Sequence, residues 1–161
     1  MPRSRKQEPA IITAWQITDR DYAGTAFDGV GAEKFGGRFN GIGRRVVYCA
    51  GSQSLAILEQ LVRVNSRSRL RRQVCMRVEF DARMVETLDH SKLPRGWDAI
   101  PYTDVSQRVG DGWLERQSSA VLRVPSVVVP EEWNYLLNPG HPDFVRISKG
   151  ASQPLPIDER F

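Results

Sequence analysis

The sequence is sparing in the residues that mark several common chemistries, and each shortage excludes something. Its 161 residues contain two histidines and two cysteines. His90 and His141 stand alone, and Cys49 and Cys75 lack any ligand-type spacing, so no zinc-binding pattern is written in the chain. G-x-S-x-G is missing, and no Ser/His/Asp nucleophile arrangement can be traced. Neither G-x-G-x-x-G nor G-x-x-x-x-G-K-[ST] occurs, and the one glycine-rich loop runs into a strand where those fingerprints open a helix, so Rossmann and P-loop readings fall away. No apolar run approaches the length that spans a bilayer. The opening MPRSRKQEP is basic, with no apolar stretch behind it, which is unlike a secretory leader. A cytoplasmic protein without a membrane partner is expected, its cysteines being small core residues in a reducing compartment rather than a disulfide.

What is present is ordinary for a globular domain: 40% hydrophobic and 26% charged residues, with a net charge of +4 that suits an anionic ligand, a nucleic acid or an acidic partner. Residues 1–10 are expected to be a flexible tail and 11–161 a single domain. Strands are expected at 11–18, 45–50 and 73–80, the last with clear alternation. Residues 54–65 read as a helix, with Leu55, Leu58, Leu61 and Val62 at helical spacing behind the candidate caps Ser52, Gln53 and Ser54. A second helix is expected over 103–119, weakened by Gly110 and Gly112. Residues 121–129 read as a strand pair or a kinked strand because of Pro125. Short late strands are expected at 144–147 and 155–157. Residues 24–43 carry no trustworthy period, and an irregular loop of that length is usually functional. Strands with few helices and no βαβ rhythm predict an α+β fold with mostly antiparallel pairing.

Three residues of the segment GGRFNGIGRRVVYCAGSQSLAILEQ (36–60) invite chemistry. Arg38 lies among Gly36, Gly37, Gly41 and Gly43, where backbone can approach a ligand and a guanidinium can grip phosphate in two places; a surface turn with a solvated arginine reads equally well. Glu59 has Leu55, Ala56, Val62 and Arg63 as helical neighbours, so its carboxylate lies on or beside the apolar stripe and must be paired or used. An i,i+4 bridge to Arg63 is the plainer alternative. Tyr48 should share a sheet face with Val46, opposite Val47 and Cys49, as a pocket wall or as core packing. Further on, Ser126 follows Pro125, and Asn134, Asn138 and His141 crowd what reads as a Pro-rich loop, where the asparagines can serve backbone groups.

Taken together, these segments resemble the RES domain, the toxin half of Xre–RES toxin–antitoxin pairs. The run from Gly36 to Val62 carries the likeness, followed by VPSVVVPEEWNYLLNPGHPDF and the closing PLPIDERF, so it extends over residues 12–161. The Arg, Glu and Ser that name the family correspond to Arg38, Glu59 and Ser126, and Tyr48 matches its strand tyrosine. Two positions depart: Gln16 stands where many relatives have arginine, and Phe39 where they usually have tryptophan. The resemblance implies a fold similar to ADP-ribosyltransferases. It implies a toxin that breaks the nicotinamide–ribose bond of NAD⁺, by hydrolysis or phosphorolysis, and so arrests growth. NAD⁺ is then substrate, with no cofactor and no metal. The partner implied is an Xre-type antitoxin that occludes the site, DNA being reached only through it; a homodimer is admitted.

On this reading Glu59 stabilises the cationic ribose as neutral nicotinamide leaves. Arg38 holds the diphosphate, Ser126 and Asn134 fix ribose or phosphate, and Tyr48 lines the nicotinamide pocket. Two competing readings are a transferase that passes ADP-ribose to a protein, and a nucleic-acid-binding module resting on the basic run RVNSRSRLRR (63–72).

Overall fold

A computed structural model describes residues 8–64 and 66–161. Most of the expected tail, and position 65 at the end of the expected helix, lie outside the described residues; residues 8–10 are exposed and carry no regular structure.

In chain order the elements are β1 (Ile11–Asp19), α1 (Val30–Phe35), β2 (Val47–Ala50), α2 (Gln53–Leu61), α3 (Arg67–Arg71), β3 (Gln73–Asp81), β4 (Val85–Thr87), α4 (Asp104–Arg116), β5 (Val121–Pro125), β6 (Trp133–Leu137), β7 (Ser148–Lys149) and β8 (Gln153–Pro154), joined by short 3₁₀ turns. The strands form one sheet in the order β4-β5-β6-β2-β1-β3-β7, with β8 also on β3. Among the described residues only β4 and β5 pair in parallel, and the other pairings are antiparallel. The expected α+β class, mostly antiparallel with few helices, is therefore the observed one.

Alternation along the strands sorts two layers. Val47, Cys49, Tyr135, Leu137, Ala14, Val78 and Phe80 pack on one face of the sheet, covered by Phe27 and Phe144. The other face holds two clusters. Leu55 and Ala56 of α2 sit on Ala50, Trp15 and Ile17. Trp113 and Leu114 of α4 sit on Leu122, Val124 and Leu136, beside Tyr48. Cross-strand register puts Asn134 opposite Ala50 and Tyr48 opposite Leu136, all on this second face. The two helices thus flank the stretch of sheet that carries Tyr48 and Asn134. Cys49 and Cys75 are buried and free, and burial pushes both thiols' pKa values up.

Several expectations are corrected. Residues 24–43 are not wholly irregular: a 3₁₀ turn over Arg20–Thr25 and the helix α1 occupy part of them, each only six residues and too short to show a period. The strand expected over 121–129 stops at Pro125, and Asn134 lies in strand β6 rather than in a Pro-rich loop. Residues 142–146 wind into a 3₁₀ turn begun by Pro142, where a strand was expected at 144–147. The last strand is Gln153–Pro154, ahead of the 155–157 expected.

Gly110 and Gly112 do not break α4, which runs from the Thr103 cap, whose side chain accepts from Val105 N, to Gln117 in the left-handed region. Gly110 is there for proximity: a Cβ at this position would fall 1.6 Å from the Phe39 carbonyl oxygen.

Candidate active site

The glycine loop is fastened from three sides. The fully buried Asn40 donates from Nδ2 to the carbonyls of Ala32 (2.8 Å) and Arg44 (3.1 Å). Its Oδ1 accepts the Tyr48 hydroxyl at 2.7 Å, while that hydroxyl accepts from Phe39 N at 3.0 Å. From α4, the Asp111 carboxylate accepts from Gly41 N, and Gln107 Nε2 donates to the carbonyls of Gly37 and Asn40. Gly37 is required where it lies, because a Cβ there would meet the Tyr48 hydroxyl at 2.7 Å. Burial holds the Tyr48 phenol above its ordinary pKa, so the group remains a neutral donor.

This loop presents Arg38. Its Nη1 donates to the carbonyls of Trp97 (3.1 Å) and Ala99 (2.9 Å), with the Tyr102 ring 5.8 Å away. One corner of the guanidinium is thereby spent on the 97–99 loop, and Nη2 and Nε make no protein hydrogen bond among the described residues. Desolvation lowers the Arg38 pKa, opposed first by the negative charge of Glu59 and then by that of Asp98. Arg38 and Glu59 form no direct ion pair, and the charge of Glu59 acts on the guanidinium only at longer range.

Glu59 projects from α2, a helix begun by Ser52, whose Oγ accepts from Leu55 N at 3.1 Å. Two donors converge on one of its oxygens. Ser126 Oγ and Asn134 Nδ2 each donate to Glu59 Oε1 at 2.8 Å. Ser126 is fully buried, just past the end of β5, and its Oγ accepts from the amides of Val128 and Val129 at 3.0 Å each. Those amides fix the hydroxyl proton's direction toward Glu59. Oε2 makes no protein hydrogen bond among the described residues. The bridge to Arg63 is not formed: no ion pair joins Glu59 to Arg63.

A carboxylate held by one oxygen and open at the other is suited to stabilise positive charge that develops on a ligand. Among the described residues no three or more His, Cys, Asp or Glu side chains come together as a metal site. No described helix is long and apolar enough to cross a membrane.

The RES domain family model matches residues 13–158. This chain is a member of the RES domain family. Relatives include the Prs ADP-ribosylating toxin of Sphingobium sp. (strain YBL2), 42% identical over 134 residues that span 80% of this chain and 83% of the relative. The Toxin Res of Yersinia enterocolitica is 38% identical over 141 residues, 88% of this chain and 92% of the relative. Among solved structures, the M. tuberculosis MbcT–MbcA toxin–antitoxin complex superposes with a TM-score of 0.73 at 16% identity, covering 91% of this chain and 85% of that one. The fold is thus that of the MbcT toxin, ADP-ribosyltransferase-like as the resemblance implied.

In this RES domain the residues singled out from sequence separate into two groups. Glu59, Ser126 and Asn134 are joined by hydrogen bonds, whereas Arg38 is bonded to the 97–99 loop and touches none of them through a hydrogen bond. Tyr48 lies on the same sheet face, but its hydroxyl is committed to the glycine loop. Gln16 is not part of the site: it shares the opposite sheet face with Ala14 and donates to the Ala26 carbonyl. Asn40, Gln107, Asp111 and the carbonyls of Trp97 and Ala99 were not singled out. Only Asn40, inside the glycine run, carried a local signal, since a polar residue between two glycines often serves the turn itself.

Proposed function

We propose that this RES domain is a toxin that depletes NAD⁺ by cleaving the nicotinamide–ribose bond, and that a cognate antitoxin, of Xre type, neutralises it. The observation that carries the reading is the convergence of Ser126 and Asn134 on Oε1 of Glu59. Two donors on one oxygen fix the carboxylate's plane and leave Oε2 for the reacting sugar. Nicotinamide leaves NAD⁺ as a neutral molecule, so its departure needs no general acid. Ordinary glycosidases need two carboxylates, one of them to protonate the leaving group; here one suffices. As the bond stretches, positive charge grows on the ribose, and Glu59 stabilises it in place. Arg38, with Nη2 and Nε uncommitted, grips the diphosphate, and the Tyr48 ring borders the nicotinamide. The toxin names of the relatives and the antitoxin complex of the structural neighbour support the partner.

The test is to incubate the purified protein with NAD⁺, with and without inorganic phosphate, and to separate the products by chromatography. Release of nicotinamide is expected, with ADP-ribose or its phosphorylated form naming the acceptor. Intact NAD⁺ after prolonged incubation overturns the reading.

A second reading is favoured by the relative named as an ADP-ribosylating toxin. The same site would then pass ADP-ribose to a protein. NAD⁺ labelled in its adenine half separates the two, because the label ends free in solution or bound to protein.

A further inference from the structure

Arg38 Nη1 donates to two backbone carbonyls, those of Trp97 (3.1 Å) and Ala99 (2.9 Å). A guanidinium is planar and rigid, so two acceptors at one terminal nitrogen set the plane of the whole group. What this leaves is the Nε–Nη2 edge, which can take two oxygens of an anion side by side. The aim of that edge is decided by where the two carbonyls lie. They lie on the connection between β4 and α4, residues 88–103, where among the described residues the regular structure is a single 3₁₀ turn, His90–Lys92. A loop of that length needs fastening of its own before it can hold another group still.

The fastening is Trp97. Its side chain is buried in the cluster that contains Leu93, Trp113 and Leu122. Its ring stacks on Phe39, the residue after Arg38, with centroids 6.3 Å apart and planes 26° apart. It also meets the His90 imidazole edge-to-face at 5.7 Å. Two backbone turns close around it, Trp97 N donating to the Pro94 carbonyl and Ala99 N to that of Gly96, each at 3.2 Å. His90 in turn donates from Nε2 to the Pro130 carbonyl at 3.1 Å; a carbonyl only accepts, so Nε2 carries the proton. Pro130 lies in the turn closed by Ser126 N on the Glu132 carbonyl and by Glu132 N on that of Val129. The first residue of that turn is the serine that donates to Glu59. The row Phe39, Trp97, His90 thus runs from the arginine loop to the serine turn.

We propose that Trp97 is a positioning residue for Arg38, and that His90 ties that position to the Ser126 turn. The proposal rests on the reading of Arg38 as the group that binds the diphosphate. The Trp97 ring, kept in place by Phe39, His90 and the core, sets its own carbonyl and, through the Gly96–Ala99 turn, that of Ala99. Those carbonyls set the guanidinium, which then offers a prepared fork instead of a mobile charge. Preparing a binding group in advance lowers the ordering cost at the moment of binding, so Trp97 acts on affinity and not on the bond-breaking step. Plain core packing is the alternative. A tryptophan that only fills space would lower stability and be blind to what stands at position 38.

The test measures binding of ADP-ribose, which carries the diphosphate but no nicotinamide bond, by isothermal titration calorimetry on the full chain, with circular dichroism melts beside it. Trp97→Leu is expected to weaken binding about tenfold, and Trp97→Phe, which keeps a ring against Phe39, by about threefold or less. His90→Ala, at an exposed residue, should weaken it by about threefold, and His90→Gln, which keeps an N–H for Pro130, by less. In an Arg38→Lys background, where the planar fork is gone, Trp97→Leu should add less than about twofold. In NAD⁺ turnover the same variants should raise KM more than they lower kcat. The positioning role is overturned if Trp97→Leu (or, should that protein not fold, His90→Ala) binds ADP-ribose like the parent. It is overturned equally if the substitution costs the same factor with lysine at position 38 as with arginine, or if the loss falls on kcat alone. A parent protein that releases nicotinamide while these variants match it removes this inference and leaves the NAD⁺ reading standing. A parent that neither binds ADP-ribose nor consumes NAD⁺ removes both.

Discussion

Ser126 Oγ lies 2.8 Å from Glu59 Oε1, a hydrogen bond that spans sixty-seven positions of sequence and ties the end of β5 to the last turn of α2. The serine hydroxyl donates its hydrogen bond to the carboxylate because its lone pairs are already occupied by two backbone amides. It is an orienting residue with a fixed direction, and it has no base of its own to make it a nucleophile.

Removing that orientation should slow the reaction without abolishing binding. For Ser126→Ala and Asn134→Ala we expect NAD⁺ turnover to fall by about ten- to a hundredfold in kcat, with a smaller change in KM. The double variant should lose less than the product of the two, since both donors act on one oxygen. Glu59→Gln, which keeps the shape and loses the charge, should fall by on the order of a hundredfold or more. Steady-state kinetics on all four proteins checks this.

Tyr48→Phe should act on the glycine loop. Deleting the hydroxyl leaves Asn40 Oδ1 and Phe39 N without partners. Leaving buried polar groups unpaired costs about 1–3 kcal/mol, and the loss should be visible as a lower urea midpoint. Because Arg38 is carried on the loosened segment, KM for NAD⁺ should rise more than kcat falls.

The two glycines of α4 should answer oppositely to alanine. At Gly110 the new methyl would meet the Phe39 carbonyl oxygen at 1.6 Å, a backbone atom that cannot swing aside. A loss of about 3 kcal/mol or more, or failure to fold, is expected. At Gly112 the nearest atom is the flexible Arg116 Nη1 at 3.4 Å, so Gly112→Ala should gain up to about 1 kcal/mol from helix propensity. Thermal melts of the two variants distinguish them.

Stability should fall in acid, and Asp81 is one named cause. Hydrogen bonds from the Arg83 side chain and amide hold its pKa down at about 2. A carboxylate whose pKa is lower folded than unfolded stabilises fully above the ordinary aspartate range. That contribution is lost as pH falls from about 4, the unfolded value, through the folded one. Asp81→Asn should therefore lower stability at neutral pH slightly and flatten its decline between pH 4 and 2, as denaturant titrations at several pH values would reveal.

The long strands β1 and β3 were legible because nine residues are enough for alternation to declare itself, and α2 because its cap and its leucines agree. The turns that failed were short. α1 offers six residues, and β6 is five residues with proline, asparagine and glycine soon after it, so turn chemistry masked the strand. Glu59 illustrates the limit at the site. Its position on an apolar stripe announced a carboxylate in need of a partner, yet its partners lie sixty-seven and seventy-five residues away, where no local pattern points. The family likeness supplied Ser126; the register of β2 against β6 accounts for Asn134. The support beneath Arg38 was invisible for the same reason, since Gln107 and Asp111 are ordinary polar residues of a distant helix until α4 packs on the loop.

The separation between Glu59 and its two holders carries a consequence for biosynthesis. A ribosome-bound chain that has emerged only through β3 already contains the arginine and the acid, but neither amino acid that clamps the latter, and β6, one of the two sheet neighbours of β2, does not yet exist. Assembly of the Glu59 clamp is thus deferred until β5 and β6 have left the exit tunnel, so the order of synthesis itself keeps the acid unoriented while the first half of the sheet is being made.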